Sequence, residues 1–447
     1  MGSEAEESEA RGVSLSSRIS AQQAADRLGI KVETLYAYVS RGMLKSERES
    51  GGGRASRFDA GEVERLARGR RGRTRAGGIE VALSSGLTLI EDDRVCYRGF
   101  ETGRLARTCT FESVAELLWG SDAERDGELR RASSEGAHAT PERDSAWAAD
   151  PAALAAGRLA QVALPSGSHF ADRIRLTVGA IAPTDALRYD TSHASVCSAG
   201  RALISAMVEC LPELGPPCDR PLAFDDGRVV TNSLASRLWT RLTPEPARAG
   251  CIELLNAALV LGADHGLAAS TFAARIAASV HADPYAVVAT GLGVISGSLH
   301  GAASAPAYRV IAEIGTAERA VPGVAEVLRR DKRIPGFGHM IYKGWDPRAE
   351  VLFDLLRKAD VDADRLATCE AVLDVLGQRA PVKPNIDFLL ASIAFTTRMD
   401  SAAGEAIFAI ARSAGWIAHA LEEYEETPVR FRPRAHYTGP LPPPREN

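Results

Sequence analysis

The sequence predicts a mainly α-helical protein with more than one domain. Its 447 residues exceed a single small module, and two or three domains are usual for this length. Aromatic residues make up only 6% of the chain, which disfavours an aromatic-rich β-sandwich. With 45% hydrophobic and 25% charged residues, the composition excludes a chain that is disordered throughout. Ala-rich stretches with few β-branched residues predict buried helices at 151–164, 195–211, 250–262, 268–281 and 402–421.

Charge is divided unevenly along the chain. Residues 14–75 hold 14 Lys or Arg against 7 Asp or Glu, whereas the net charge of the whole chain is -5. A small basic unit is therefore expected before a large acidic body. The seven cysteines include no Cys-x-x-Cys pair, so neither a disulfide framework nor a metal site is predicted. Without an apolar leader or a run of eighteen apolar residues, the chain is expected to be cytoplasmic, with no membrane partner.

Composition divides the chain into four segments. Residues 1–13 have little to bury and are expected to be a disordered lead. Residues 14–68 form the basic unit. Residues 69–78, which are basic and Gly-rich without apolar periodicity, are expected to be a linker. The body occupies residues 79–447.

The basic unit has the pattern of a helix-turn-helix. Ser20 and Gln23 have capping-box spacing, which predicts a first helix that stops at Gly29. Residues 32–42 carry apolar side chains at helical spacing and predict a second helix after a turn of about three residues. A third helix is expected over residues 59–66, after an acidic cap.

A polar loop with three consecutive glycines, residues 45–58, follows the helix pair like a wing. The whole unit resembles a winged helix-turn-helix of the MerR or excisionase type. The resemblance implies DNA as a partner, contacted by Thr34, Tyr36, Arg41, Arg54 and Arg57. A helical appendage for docking or oligomerisation is the alternative, although the positive charge favours nucleic acid.

Three further features belong to the body. Short alternating segments at 79–98, with an acidic turn at 91–93, predict a β-hairpin. The charged, irregular stretch 121–148 is expected to be a surface excursion. Gly291 and Gly293 have the spacing of a dinucleotide-binding loop, but they lie in a helical pattern, and we interpret them as packing glycines.

Two histidines stand in Gly-rich surroundings that packing alone does not require. His300 lies in Ser-Leu-His-Gly and His339 in Pro-Gly-Phe-Gly-His, where glycines let a ligand approach both backbone and imidazole. Asp387, in Pro-Asn-Ile-Asp, places a carboxylate in an apolar run. Each residue has a structural alternative, since a lone histidine is commonly structural and Asp387 could simply cap a helix.

These segments resemble the citrate synthase family. The motifs occur in family order over roughly residues 79–440: YRGF (97–100), ADHG and ASTFAAR (263–275), SLHGAA (298–303), RIPGFGHMIYKGWDPRA (333–349), PNIDF (384–388), ARSAGWIAHALE (411–422) and RPRAHYTG (432–439). The resemblance implies a homodimer of large and small helical domains, with the small one at about 300–395.

The resemblance also assigns roles. Condensing a thioester with a ketone requires a base and two hydrogen-bond donors. The implied base is Asp387, with His300 donating to the thioester enolate and His339 to the keto group. The carboxylates of a 2-oxo dicarboxylate would be bound by His265, Arg348, Arg412 and Arg432, the last reaching in from the partner subunit. The loop of Gly336, Phe337 and Gly338 would offer backbone groups to the adenine of coenzyme A.

The expected activity is therefore condensation of acetyl-CoA with oxaloacetate and water to citrate and CoA. The thioester is a substrate, and no cofactor and no metal are expected. A 2-methylcitrate synthase using propionyl-CoA is one alternative, because one methylene changes binding in an apolar pocket by only ~1–3 kcal/mol. A DNA-binding regulator whose synthase fold senses a metabolite is another. Retention of Asp387 with both histidines favours catalysis.

Overall fold

The computed structural model describes residues 18–28, 32–40, 44–48, 56–59, 63, 82–91, 93–120, 147–297, 303–342, 344–379, 382–433 and 439. The chain divides into two compact units, with the division between Ser84 and Ser85. The predicted lead and linker, residues 1–13 and 69–78, lie outside the described residues, so their boundaries stay predictions.

The N-terminal unit combines a three-stranded antiparallel sheet with two helices. Its elements are β1 (Arg18–Ser20), α1 (Ala21–Leu28), α2 (Val32–Ser40), β2 (Ser46–Arg48) and β3 (Ser56–Asp59), with strand order β1-β3-β2. Both predicted helices are confirmed. The predicted capping box is confirmed too: the Gln23 amide donates to Ser20 Oγ over 3.2 Å, and the Ser20 amide donates to Gln23 Oε1 over 3.0 Å. Of the third predicted helix, only Val63 is described, and it is helical.

This unit contains more strand than the sequence suggested. The stretch 45–58, expected to be a loop, includes two strands that pair with Ser46 opposite Phe58. Strand β1 was not predicted at all. It pairs with β3, and its Ile19 is buried in a small apolar core with Leu35 and Phe58. A three-residue strand is too short for period-two alternation to be visible, because a distant partner supplies its hydrogen bonds.

The C-terminal unit begins with a β-hairpin and continues mainly as helices. Its strands are β4 (Thr88–Glu91), β5 (Arg94–Tyr97), β6 (Phe100–Glu101), β7 (Leu222–Ala223) and β8 (Val229–Val230). Its α-helices are α3 (Thr102–Thr108), α4 (Phe111–Trp119), α5 (Pro151–Val162), α6 (Phe170–Ile181), α7 (His193–Glu209), α8 (Leu234–Leu242), α9 (Cys251–Gly262), α10 (Ala269–Ser279), α11 (Pro284–Ile295), α12 (Ser304–Ile314), α13 (Ala320–Asp331), α14 (Pro347–Lys358), α15 (Ala363–Arg379), α16 (Ile386–Thr396) and α17 (Ala403–Tyr424). The five predicted Ala-rich helices and the predicted hairpin are confirmed, as α5, α7, α9, α10, α17 and the β4–β5 pair.

Helix α17 lies at the centre of the C-terminal unit. It is buried along nearly its whole length and packs against α4, α6, α7, α9, α10, α11 and α16. Small residues allow these close contacts: a Cβ on Gly291 of α11 would come within 2.5 Å of the Trp416 ring. Gly291 is therefore a packing glycine, as predicted, whereas the same prediction is wrong for Gly293, which has no atom within 4 Å of its ideal Cβ. Among the helices that the structure describes, none combines the length and apolar character that a membrane span requires.

The stretch 121–148 was predicted to lie on the surface, and this prediction is wrong at Trp147. Residues 121–146 lie outside the described part of the chain. Trp147, however, is only 8% exposed and stacks on Trp119, with ring centroids 5.5 Å apart. A single apolar residue at the end of a charged stretch is not part of an apolar pattern with helical or strand spacing, so its burial could not be predicted from the sequence.

Replacement of Gly291 by Ala is expected to destabilise the C-terminal unit by about 1–3 kcal/mol, because the added methyl overlaps the Trp416 ring. Gly293→Ala is the matched control in the same helix, since no atom lies within 4 Å of its ideal Cβ. We expect that control to be neutral or stabilising by up to ~1 kcal/mol through helix propensity. Urea unfolding of both variants measures the difference, and equal midpoints would contradict the packing role.

Candidate active site

Five residues implied by the sequence lie close together in the C-terminal unit. His265 follows α9 in a turn, His339 precedes α14, Arg348 and Asp387 lie in the first turns of α14 and α16, and Arg412 lies mid-way along α17. The rings of His265 and His339 meet edge to face, with centroids 5.4 Å apart. Burial lowers the pKa of His265 well below its usual value, and both guanidinium groups lower it further.

His300, which the resemblance also places in the site, lies outside the described residues, which omit 298–302. The helix that follows it, α12, begins at Ser304, whose side chain is buried. The implied role of His300 therefore stays a prediction.

A glycine loop fixes His339 relative to Asp387. Gly336 has φ +81°, and a Cβ there would lie 2.8–2.9 Å from Phe388 atoms that include backbone, so only glycine fits. The loop runs antiparallel to residues 383–385: the Gly338 amide donates to the Lys383 carbonyl over 2.8 Å, and the Asn385 amide donates to the Gly336 carbonyl over 3.0 Å. These bonds hold the histidine loop against the start of the helix that carries Asp387.

The hydrogen bonds of His339 indicate which ring nitrogen carries its proton. The Ile341 amide donates to His339 Nδ1 over 3.0 Å, so Nδ1 is an acceptor and carries no hydrogen. Burial lowers the pKa of His339, which favours the neutral ring. The proton of a neutral imidazole must then be on Nε2. His339 can therefore donate a hydrogen bond from Nε2 without carrying positive charge.

The Asp346 carboxylate, at the N-terminal cap of α14, binds the side chain of Arg348 in the first turn of the same helix. Asp346 caps α14 by accepting from the Arg348 amide over 3.1 Å, and its two oxygens accept from Arg348 Nε and Nη2 over 2.9 and 2.7 Å. It also accepts from the Ile386 amide over 3.2 Å. Both side chains are buried. Against the opposing effect of burial, the pairing raises the pKa of Arg348 and lowers the pKa of Asp346.

Arg412 is buried without such a partner. Its Nε donates to the Gly262 carbonyl over 2.9 Å, and its guanidinium lies 4.6 Å from the centre of the Phe408 ring. Within the described residues, no carboxylate forms an ion pair with it, and Nη2 is buried without a hydrogen-bond acceptor. Burial lowers the pKa of Arg412. A buried cation that lacks an acid is costly, and an anionic ligand would remove that cost.

Asp387 is a half-buried acid at the start of α16. The helix is capped by Asn385, whose Oδ1 accepts from the Asp387 amide over 3.0 Å, so the alternative that Asp387 itself caps the helix is wrong. Burial raises the pKa of Asp387 to about 6, although Arg348 and Arg412 act in the opposite direction. A carboxylate with a pKa near 6 is ionised at neutral pH and is a stronger base than an exposed aspartate.

Sequence reasoning missed two residues of this site. Tyr342 places its hydroxyl 2.6 Å from His265 Nε2, and its ring lies 4.5 Å from that of His339. No sequence signal distinguishes it from a core tyrosine. Asp346 could have been found, because an aspartate directly before a proline, here Pro347, is a common helix start.

The predicted coenzyme A loop and Arg432 lie outside the cluster of five residues. Phe337, in the expected coenzyme A loop, packs its ring 4.7 Å from that of Phe388, while the loop glycines have positive φ. Arg432 lies after α17 with an exposed side chain and makes no hydrogen bond or ion pair with a described residue. It is thus not part of the cluster within one chain. The described residues contain no group of three His, Cys, Asp or Glu side chains that could hold a metal.

In the N-terminal unit, two of the predicted DNA-contacting residues are exposed on α2. These are Thr34 and Tyr36, and the Tyr36 ring is 42% exposed with its edge against Phe58. Arg57 lies in the central strand β3 and is half-buried, rather than in the loop expected from the sequence. Arg41 and Arg54 lie outside the described residues.

Comparison with known families agrees with this geometry. The family described as "Citrate synthase, C-terminal domain" matches residues 77–434. The chain belongs to the citrate synthase family. Its N-terminal unit matches a second family, described as "MerR HTH family regulatory protein", over residues 19–73. The mainly helical fold and the helix-turn-helix predicted from the sequence are therefore both confirmed.

Individual proteins of the citrate synthase family are similar over most of the chain. The citrate synthase of Haloferax volcanii is 33% identical over 373 residues, covering 81% of this chain and 94% of that protein. The 2-methylcitrate synthase 1 of Corynebacterium glutamicum is 26% identical over 356 residues, covering 78% and 90%. A citrate synthase of Thermoplasma acidophilum, solved in ternary complex with carboxymethyl coenzyme A and oxaloacetate, shares the fold with a TM-score of 0.63 at 23% identity, covering 83% and 96%. The chain is an enzyme of the citrate synthase or 2-methylcitrate synthase kind.

The raised pKa of Asp387 predicts a pH-dependent stability difference. The folded state favours the protonated acid, so this group's stabilising contribution is present below its ordinary pKa of 3.8 and is lost as the pH rises through about 6. Asp387→Asn removes that loss. The melting temperature of the variant minus that of the unchanged chain should therefore be roughly 2–5 °C larger at pH 7.5 than at pH 4.5.

Scanning calorimetry at both values measures this difference without any substrate. The matched control is Asp374→Asn, which makes the same change at an exposed acid of α15. The same pH response in both variants would rule out a raised pKa at Asp387.

Proposed function

We propose that the enzyme condenses acetyl-CoA with oxaloacetate and water to give citrate and CoA. The observation that carries the proposal is the buried guanidinium of Arg412, which forms no ion pair with a described residue, beside the half-buried carboxyl of Asp387, whose pKa is about 6. An anionic substrate would neutralise the first, and a weak carbon acid would be deprotonated by the second.

The 2-oxo dicarboxylate is proposed to bind first to the cationic side of the site. Arg412 would use its free Nη2 for one carboxylate, and Arg348, held in place by Asp346, would contact the other. His265 would add a hydrogen bond, and its lowered pKa keeps it neutral. His339 would donate from Nε2 to the keto oxygen, which makes the keto carbon more electrophilic.

The thioester is proposed to react at its methyl carbon. Asp387 takes a methyl proton, and the resulting enolate carbon attacks the keto carbon, so one C–H bond breaks and one C–C bond forms. His300 would donate to the enolate oxygen, as the family resemblance implies. The keto oxygen gains a proton from His339, and water then cleaves the thioester to release CoA and citrate. The loop of Gly336 and Gly338 would face the coenzyme A adenine.

The acyl group could instead be propionyl, which would make the enzyme a 2-methylcitrate synthase. A relative with that name matches at 26% identity, against 33% for the citrate synthase of Haloferax volcanii, which supports the acetyl group as the first substrate to assay. Parallel assays with acetyl-CoA and propionyl-CoA decide between them, because the preferred thioester has the higher kcat/KM.

Asp387→Asn keeps the shape of the side chain and removes the proton acceptor. We expect kcat to fall by about 10²- to 10⁴-fold, while the rise in melting temperature on adding oxaloacetate persists. Asp374→Asn is the control and should retain full turnover. Near-normal turnover of Asp387→Asn would disprove the base assignment. If the unchanged chain binds oxaloacetate but turns over neither thioester, the metabolite-sensing regulator is the better function.

Arg432 is proposed to act in a homodimer, reaching the site of the partner subunit. Its exposed side chain and its lack of a partner among the described residues support this role. The segment that carries it is anchored to its own subunit: the Val429 amide donates to the Ser279 carbonyl over 2.7 Å, and Phe431 packs edge to face on Phe272.

The N-terminal unit is proposed to bind duplex DNA. The match to MerR-type regulators, the excess of basic residues and the exposed Thr34 and Tyr36 on α2 support this partner. Two copies in a homodimer would bind two half-sites more tightly than one copy binds a single half-site.

The full-length chain should bind short duplex DNA at low salt, with an affinity that falls as salt increases. Arg41→Glu combined with Arg54→Glu should abolish this binding in fluorescence anisotropy and leave citrate formation unchanged. Arg94→Glu, at an exposed arginine of β5 in the other unit, is the control for a charge reversal outside the N-terminal unit. If the unchanged chain fails to bind DNA at low salt, the docking or oligomerisation role replaces this proposal.

A further inference from the structure

The turn that presents His265 is held by the side chain of the preceding residue. Asp264 is fully buried, and its Oδ2 accepts from the Thr88 hydroxyl and from the Gly266 amide, the latter over 3.0 Å. The Tyr97 hydroxyl donates to the Asp264 carbonyl over 2.8 Å. The residues on both sides of His265 are thus fixed by one carboxylate, and the orientation of His265 depends on that of Asp264.

The second oxygen of this carboxylate faces a histidine that the proposed mechanism does not use. Asp264 Oδ1 lies 3.4 Å from Nε2 of His419, and neither atom forms a hydrogen bond with a described residue, so each is the other's nearest polar group. Both side chains are inaccessible to solvent. Two buried polar atoms with no alternative partner stabilise each other, because each alone would carry an uncompensated desolvation cost.

The hydrogen bond at Nδ1 indicates which ring nitrogen of His419 carries the proton. Arg275 Nη1 lies 2.9 Å from His419 Nδ1, and a guanidinium can only donate, so Nδ1 is the acceptor. A ring with Nδ1 unprotonated carries its hydrogen on Nε2, the atom nearest Asp264. Arg275 is itself fixed by Glu422 and Glu423, with N–O distances of 2.7 and 2.9 Å. His419 is therefore oriented from behind and cannot rotate freely.

Helix α17 is shaped to allow this contact. A Cβ at Gly415 would come within 2.4 Å of the Ala263 carbonyl oxygen and 2.6 Å of Asp264 Oδ1. Only glycine lets the helix pass so close to the turn. Gly415 and His419 are four residues apart and hence on one face of the helix, the face that also presents Arg412. The same face of α17 would then contact the ligand through Arg412 and the His265 turn through Gly415 and His419.

We propose that His419 is a positioning residue for the reaction, acting through Asp264 to fix the turn that presents His265 to the 2-oxo dicarboxylate. The inference rests on the proposed function, in which His265 binds that substrate. It differs from a role in core packing alone, since the contact that matters is the single donor at Nε2.

Two polar substitutions separate these roles. In His419→Asn the shorter amide can still accept from Arg275 but does not reach Asp264. In His419→Gln the longer amide places a donor near the original Nε2 position. We expect His419→Asn to raise the KM for oxaloacetate about tenfold or more, with the KM for acetyl-CoA unchanged within about twofold, because only the dicarboxylate contacts His265. His419→Gln should restore the oxaloacetate KM to within about threefold of the unchanged enzyme.

Ser413→Ala is the control for packing in the same helix, because Ser413 is buried against Met207 and its hydroxyl donates to the Ala409 carbonyl. It should lower the melting temperature without moving either KM. The proposal is overturned if the Asn and Gln variants have the same oxaloacetate KM, or if both KM values move together. If His419→Asn does not fold, Thr88→Val decides, since it removes another donor to the same carboxylate. An unchanged oxaloacetate KM in Thr88→Val then rejects the role.

The unchanged enzyme is assayed first. Absence of turnover with either thioester rejects the proposed function. In that case oxaloacetate binding by calorimetry replaces KM as the measurement for the two His419 variants, and the same comparison applies. An active unchanged enzyme with indistinguishable His419 variants rejects only the positioning role.

Discussion

The Asp346 carboxylate connects the two helices that carry Arg348 and Asp387. It caps α14, pairs with the Arg348 guanidinium and accepts from the first amide of α16, all without access to solvent. Loss of such a carboxylate would leave a buried cation unpaired and a helix end uncapped at once. The relative position of Arg348 and Asp387 is thus set by one side chain, which has no contact with a substrate in the proposed mechanism.

The two buried arginines of the site differ in what balances their charge, and so they would respond differently to a bound anion. Arg348 already has its carboxylate, so it holds its position whether or not a ligand is bound. Arg412 has no carboxylate partner among the described residues. An anion that binds to it would therefore gain binding free energy by removing the cost of a buried, unpaired guanidinium. Both arginines also lower the pKa of Asp387. A bound dianion would offset their charge and thereby increase the basicity of that acid when the thioester arrives.

Much of this arrangement could be predicted from the sequence, and the exceptions share a cause. Ala-rich periodicity located the long helices, and capping-box spacing located α1, because both signals are local. Strand β1, buried Trp147 and the Tyr342–His265 contact were missed because each depends on a partner distant in the chain. Family motifs pointed to the five residues that the structure brings together, whereas Asp346 was missed although its position before Pro347 marked it as a cap.

The antiparallel contact between the glycine loop and residues 383–385 has a consequence for how such an enzyme can be altered. It joins His339, Arg348 and Asp387 into one stretch of chain, from Ile334 to Phe388, through hydrogen bonds between residues 336–338, 346 and 383–386. His265, in the turn after α9, and Arg412, in α17, lie outside this stretch. Recombination between relatives at the ends of this stretch would exchange three site residues as a module and leave the other two with the recipient. Substrate preference and overall scaffold can then evolve in separate steps.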